Sequence, residues 1–159
     1  MADEVDDVLS RIGFDPATSV LTRRQATVLV LRERGLKQRT IAERLDTSRA
    51  NVAGIEASAR ENVARARETV AFVDALEAPV RVPVAAETDL YDVPQQIYDA
   101  CDEAGVKVNY TAPELMNAIG ERAGEAVRGR EVRESLLVGV TREGEVRVRH
   151  DGAIQEQEL

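Results

Sequence analysis

Tryptophan is absent from this 159-residue chain, and aromatic surface comes from Phe14, Phe72, Tyr91, Tyr98 and Tyr110 alone. A core must therefore be packed from Val, Leu, Ile and Ala, which an apolar content of 43% allows. Cys101 is the one cysteine, which excludes an internal disulfide and agrees with a reducing cytoplasm. His150 is the one histidine, and a single His and a single Cys far apart make no metal site. The apolar runs are too short to span a bilayer, and the acidic start MADEVDD is unsuited to a signal peptide. A soluble cytoplasmic protein without cofactor, metal or membrane partner is expected.

Catalytic patterns are equally scarce. Cys101 falls on the inner face of a predicted helix and reads as core rather than nucleophile. Gly120, Gly124, Gly129 and Gly139 match no phosphate-binding loop. Asp89, Asp92, Asp99 and Asp102 read as caps and surface charge. No enzyme is expected.

What is present centres on QRTIAERLDTSRANVAGIE, Gln38 to Glu56. Ile41, Ala42 and Leu45, then Val52 and Ile55, fit the inner faces of two short helices joined by a turn at Asp46-Thr47-Ser48. Ser48 can cap the second helix. Thr47, Ser48, Arg49, Asn51 and Gly54 are left facing outward, a set suited to DNA: Arg pairs with guanine, Asn with adenine, and hydroxyls with phosphate. A plain helical hairpin with a solvated polar face is the alternative. The flanks favour a helix-turn-helix. Thr22 and Gln25 form a capping pair for an upstream helix that buries Ala26, Leu29, Val30 and Val28 and stops at Gly35. Three such helices are the smallest common unit that presents a recognition helix to the major groove. The expected DNA-facing residues are Thr22, Gln38, Arg39, Thr40, Thr47, Ser48, Arg49 and Asn51. Arg49 and Asn51 are expected to read bases, while Arg39 and Thr40 mostly position the backbone.

The formal net charge of −8 is unevenly spread. Leu21 to Arg67 holds eleven basic and five acidic residues, a local excess of +6, and leaves −14 for the rest. That asymmetry localises a phosphate-facing surface despite the acidic total. Lys37 and Lys107 are the two lysines, so nineteen of 21 basic residues are Arg. With 29 acidic residues, this composition points to a salt-adapted, GC-rich source such as a haloarchaeon, or to codon bias alone.

LTRRQATVLVLRERGLKQRTIAERLDTSRANVAGIEASARENVARARETV resembles the N-terminal domain of archaeal Tfx-type transcriptional regulators. TDLYDVPQQIYDACDEAGVKVNY and LLVGVTREGEVRV resemble their C-terminal domain, so the likeness runs from Leu21 to about Gly152. Asp46 departs from it, standing where many such turns place Gly; Asp tolerates a left-handed backbone better than most residues. The resemblance implies a sequence-specific DNA-binding regulator. A small-molecule sensor or enzyme-like domain tethered to DNA by the helix-turn-helix is the alternative. A site-specific recombinase would need a catalytic domain that the chain lacks.

Around the motif, residues 1–20 form an acidic segment in which Val5, Val8, Leu9 and Ile12 allow either a short packed helix or a frayed tail, with Phe14 as anchor. The DNA-binding domain spans 21–78 with an extended last helix. Val52, Ile55, Ala59, Val63, Ala66, Val70 and Val73 form one apolar stripe along it. Its far half packs on its own chain or forms a homodimer seam through Val63, Ala66, Val70 and Val73. Pro79 ends the helix. Residues 79–152 read as a small α+β domain in the order βαβαββ, with strands at 80–84, 106–110, 136–141 and 145–150, and 153–159 as a tail. The helices between are capped by Asp92 and by the Thr111–Glu114 pair. TDLYDVP is either a ligand-binding loop or a well-capped turn. The domain is expected to regulate or dimerise, with a small effector or the transcription machinery as open partners.

Overall fold

A computed structural model describes residues 2–151. They form two compact units, one ending at Val70 and one starting at Ala71. The first is helical: α1 (Ala2–Ile12), α2 (Arg23–Glu33), α3 (Gln38–Arg44) and the start of α4 (Arg49–Glu77). The second is α+β: β1 (Val80–Val84), α5 (Val93–Ala104), α6 (Ala112–Ala123), β2 (Val127–Arg128), β3 (Glu131–Val132), β4 (Leu136–Val140) and β5 (Val146–His150). The tail beyond residue 151 lies outside the described residues.

The acidic N-terminal segment is a helix rather than a frayed tail. Val5 and Leu9 of α1 join Ala26, Val28, Leu31, Ile41, Ala42 and Val52 in one core, with Phe14 packed against it. Asp6 pairs with Arg23 at 2.7 Å and Glu4 with Arg34 at 3.0 Å, so α1 neutralises two arginines of α2 and the turn after it. The face that α2 buries is therefore wider than a single stripe. Val28 and Leu31 are buried, whereas Leu29 and Val30, expected inside, are half-buried. The Thr22–Gln25 capping box is formed in both directions: Thr22 Oγ1 accepts from the Gln25 N–H at 3.1 Å, and Gln25 Oε1 accepts from the Thr22 N–H at 3.0 Å.

Asp46 takes φ = 51°, the left-handed turn conformation that glycine supplies at low cost. The Thr47 N–H then reaches back to the Ala42 carbonyl at 3.0 Å, closing α3. Ser48 Oγ accepts from the Asn51 N–H at 3.1 Å and caps α4. From Arg49 the helix continues for 29 residues, about 43 Å at the usual rise.

In the second unit, β1, β4 and β5 form an antiparallel sheet in the order β1-β4-β5, with Val82, Val138 and Val148 in register. Pro83 sits on the edge strand, where its missing donor costs no ladder bond. Val80, Val82 and Val84 point inward with Val138 and Val140 against Ile97 of α5 and Leu115 and Ile119 of α6. Cys101 belongs to this core, and burial, more than the nearby Asp102 charge, pushes its thiol pKa up.

The α+β class and its antiparallel sheet are as expected, but the internal order is not βαβαββ. Residues 106–110 form no strand. Val106, Val108 and Tyr110 do pack on the core, which explains their period of two. The segment is pinned instead by isolated bonds: Asn109 Nδ2 to the Glu143 carbonyl at 2.6 Å, and Tyr98 OH to the Tyr110 carbonyl at 2.8 Å. Alternation reports burial and does not by itself supply a ladder partner. The β2–β3 hairpin is the additional element, extended by a bridge between Asp89 and Glu131. Asp92 precedes α5 without a side-chain cap; Asp89 caps the short 3-10 turn Leu90–Asp92.

Candidate nucleic-acid interface

The first turn of α4 carries Ser48, Arg49 and Asn51 exposed and Thr47 half-buried. Three of them are already ordered. Asn51 Nδ2 donates to Thr47 Oγ1 at 2.8 Å, while Ser48 Oγ holds the Asn51 backbone. A primary amide has two N–H donors and an acceptor oxygen. With one donor spent on Thr47, Asn51 keeps the donor and the acceptor that a paired contact to adenine requires. Arg49 has no ion-pair partner among the described residues.

The residues of α3 divide. Arg39 is exposed and only loosely paired with Glu43 at 3.6 Å. Thr40 is half-buried. Gln38 turns toward the protein, donating from Nε2 to Glu56 Oε2 at 3.0 Å. Thr22 is exposed at the start of α2, with its hydroxyl used in the capping box.

Glu56 was not visible as special from the charge pattern. It stands four residues after Val52 and three before Ala59, on the inner stripe of α4, and only 8% of it is exposed. A carboxylate at such a position needs several donors. It receives Gln38, Arg32 Nε at 3.1 Å, and Arg60 through Nε at 3.1 Å and its terminal nitrogen at 3.0 Å. The Gln38 bond leads in holding its pKa below the ordinary value, with Arg32 and Arg60 assisting and desolvation opposing. A charged residue within an apolar stripe, followed by Arg at i+4, was the available sequence signal.

These pairings redistribute the basic excess. Arg23 and Arg34 are paired with acids of α1, while Arg32 and Arg60 share the single charge of Glu56. Arg24, Lys37, Arg44 and Arg49 carry no ion pair among the described residues. Positive charge is thus left on the termini of α2 and α3, on the first turn of α4 and, through Arg65 and Arg67, farther along α4.

Along α4 the expected seam grades outward. Val63 and Ala66 are half-buried, Val70 is 60% exposed and Val73 39%. Phe72 and Leu76, not included in the expected seam, are exposed as well.

In the second unit, TDLYDVP is internally satisfied. Asp89 accepts from the Tyr91 N–H at 3.0 Å and from Arg130 at 2.7 Å, and the guanidinium lies 4.1 Å from the Tyr91 ring centre. The Tyr91 backbone bond leads in lowering the Asp89 pKa, and Arg130 adds to it. A shallow cleft of about 500 Å³ beside the loop is lined by Leu90, Tyr91, Met116, Val127 and Arg130. Among the described residues, no helix is long and apolar enough to cross a membrane.

The family model described as the C-terminal part of the DNA-binding protein TFX matches residues 66–148. A protein of Haloarcula marismortui, provisionally named a transcriptional regulatory protein, is 50% identical over 148 residues, 93% of each chain. A similarly named protein of Methanocaldococcus jannaschii is 36% identical over 130 residues, 82% of this chain and 95% of its own. The DNA-binding protein Tfx of Methanothermobacter thermautotrophicus is 38% identical over 126 residues, 79% of this chain and 91% of its own.

Proposed function

Because the chain belongs to the Tfx family of DNA-binding proteins, we propose that it is a sequence-specific transcriptional regulator acting on double-stranded DNA in the cytoplasm. α3 and the start of α4 form its helix-turn-helix, α2 is the third helix of the unit, and Thr47–Asn51 begin the recognition helix. The observation that carries this reading is the ordered, exposed first turn of α4, where Thr47 fixes the Asn51 amide beside an unpaired Arg49. Arg39 and Thr40 serve the backbone rather than the bases. The arginine-rich, acidic composition fits a salt-adapted archaeal cell, in which weak counterion release makes base contacts count for more. Genome-wide occupancy mapping tests the reading: a shared sequence under the occupied sites supports it, and occupancy without sequence preference overturns it.

The working form in this proposal is a homodimer. Val70, Phe72, Val73 and Leu76 expose apolar surface within two turns of α4, a concentration that favours a partner. A twofold pairing of two copies along this stretch covers that surface. Two recognition helices then read inverted half-sites. Sedimentation at tens of micromolar decides it, a clean monomer on an asymmetric site being the contrary result.

A further inference from the structure

We infer that Glu56 is a positioning residue for DNA reading: its buried carboxylate fixes α4 against α2 and α3 and withholds Arg32 and Arg60 from phosphate. The inference rests on the reading of Thr47–Asn51 as the base-facing element.

One carboxylate gathers donors from three helices: Arg32 of α2, Gln38 of α3 and Arg60 of α4 itself. Arg32 also donates to the Leu36 carbonyl at 2.7 Å, which ties the α2–α3 turn into the same cluster. Apolar contacts among Ile41, Ala42, Val52 and Ile55 hold the helices together but tolerate small slides and rotations. Hydrogen bonds have narrow ranges of distance and angle, so this cluster sets the rotation and height of α4. Asn51 lies five residues before Glu56, about 7.5 Å along the same helix. Rotation at Glu56 is carried directly to the Asn51 amide, and paired base contacts depend on that placement.

The second effect is electrostatic. Arg60 is roughly half exposed, and its Nε and one terminal nitrogen are committed to a single oxygen of Glu56. An unpaired guanidinium there would add phosphate attraction that is the same for every sequence. By holding one edge of Arg60 and offsetting its charge, Glu56 weakens an indiscriminate contact while orienting a selective one.

The test measures binding of the full chain, Glu56→Gln, Arg60→Ala and the double variant to a preferred and a scrambled duplex across a salt series. Glu56→Gln is expected to stay folded by circular dichroism and to lose about tenfold in preference, the scale of one base contact. Its salt slope should steepen by about 0.9, the release of one further counterion. Arg60→Ala alone should leave the slope unchanged, and adding it to Glu56→Gln should restore the wild-type slope. Glu56→Gln with lowered stability but wild-type preference and slope would make the cluster purely a folding device and overturn the inference. Should Glu56→Gln fail to fold, Arg60→Ala decides: a shallower slope would mean Arg60 already meets phosphate, against the inference. Wild-type protein without any duplex preference defeats the DNA reading itself, whereas a discriminating wild type with an equally discriminating Glu56→Gln defeats only the role of Glu56.

Discussion

The side-chain amide of Asn51 donates to the hydroxyl of Thr47 at 2.8 Å, one helical turn back at the start of α4. The bond joins the turn before α4 to its exposed face, so the Asn51 rotamer is set within the chain ahead of the base contact proposed for it. Pre-ordering of this kind removes an entropy cost from binding.

Asn51→Ala should therefore cost about 1–3 kcal/mol on the preferred site and flatten preference at one base pair. Thr47→Val, which removes the acceptor while keeping the branched shape, should produce a smaller loss at the same base pair. Arg39→Ala should weaken all sequences alike. Titrations of base-substituted duplexes check this, and uniform losses for Asn51→Ala and Arg39→Ala would remove the division of roles.

Val70→Asp combined with Val73→Asp should give a folded monomer that binds DNA weakly. Both side chains are substantially exposed within one chain, so charge placed there meets water unless a second copy covers it. Sedimentation with circular dichroism checks the outcome; loss of helix signal would instead place these valines in the packing of their own chain.

Acid should weaken the helical unit through Glu56. Its folded pKa is depressed, first by the Gln38 amide, so the unfolded chain binds its proton more readily. The stability it contributes is complete above the ordinary carboxylate range near pH 4.3 and is lost as pH falls through the lower folded value. Glu56→Ala should cost about 2–3 kcal/mol at neutral pH by leaving two arginines unmatched, and should flatten the acid limb of a stability-against-pH curve.

Backbone geometry gives a fourth test. At Asp46 the left-handed turn is strained for a side chain, so Asp46→Gly should be neutral or stabilising by up to about 1 kcal/mol. Gly144 is the opposite case: its φ is 83°, and a Cβ would collide with the Lys107 carbonyl. Gly144→Ala should destabilise the α+β unit by more than about 2 kcal/mol, read as a lowered thermal midpoint.

Whatever local chemistry controls is legible from neighbouring residues alone. The Thr22–Gln25 and Thr111–Glu114 capping boxes, the Ser48 cap and the stops at Gly35 and Gly105 all depend on residues within one turn of each other. The inward positions of Ile41, Ala42 and Val52 follow from helical period alone. Features that depend on partners far along the chain emerge only from folding. Val106–Tyr110 alternates as a strand does, yet its neighbours are Glu143, Gly144 and Glu145, which offer isolated bonds and no ladder. Gln38 looked outward-facing until Glu56, eighteen residues later, claimed its amide. Arg23, Arg32 and Arg34 count equally as basic residues, but acids on α1 and α4 pair with them. Charge and period are properties of the sequence, whereas which charge meets which, and which face meets water, are fixed only when separate segments compete for the same buried space.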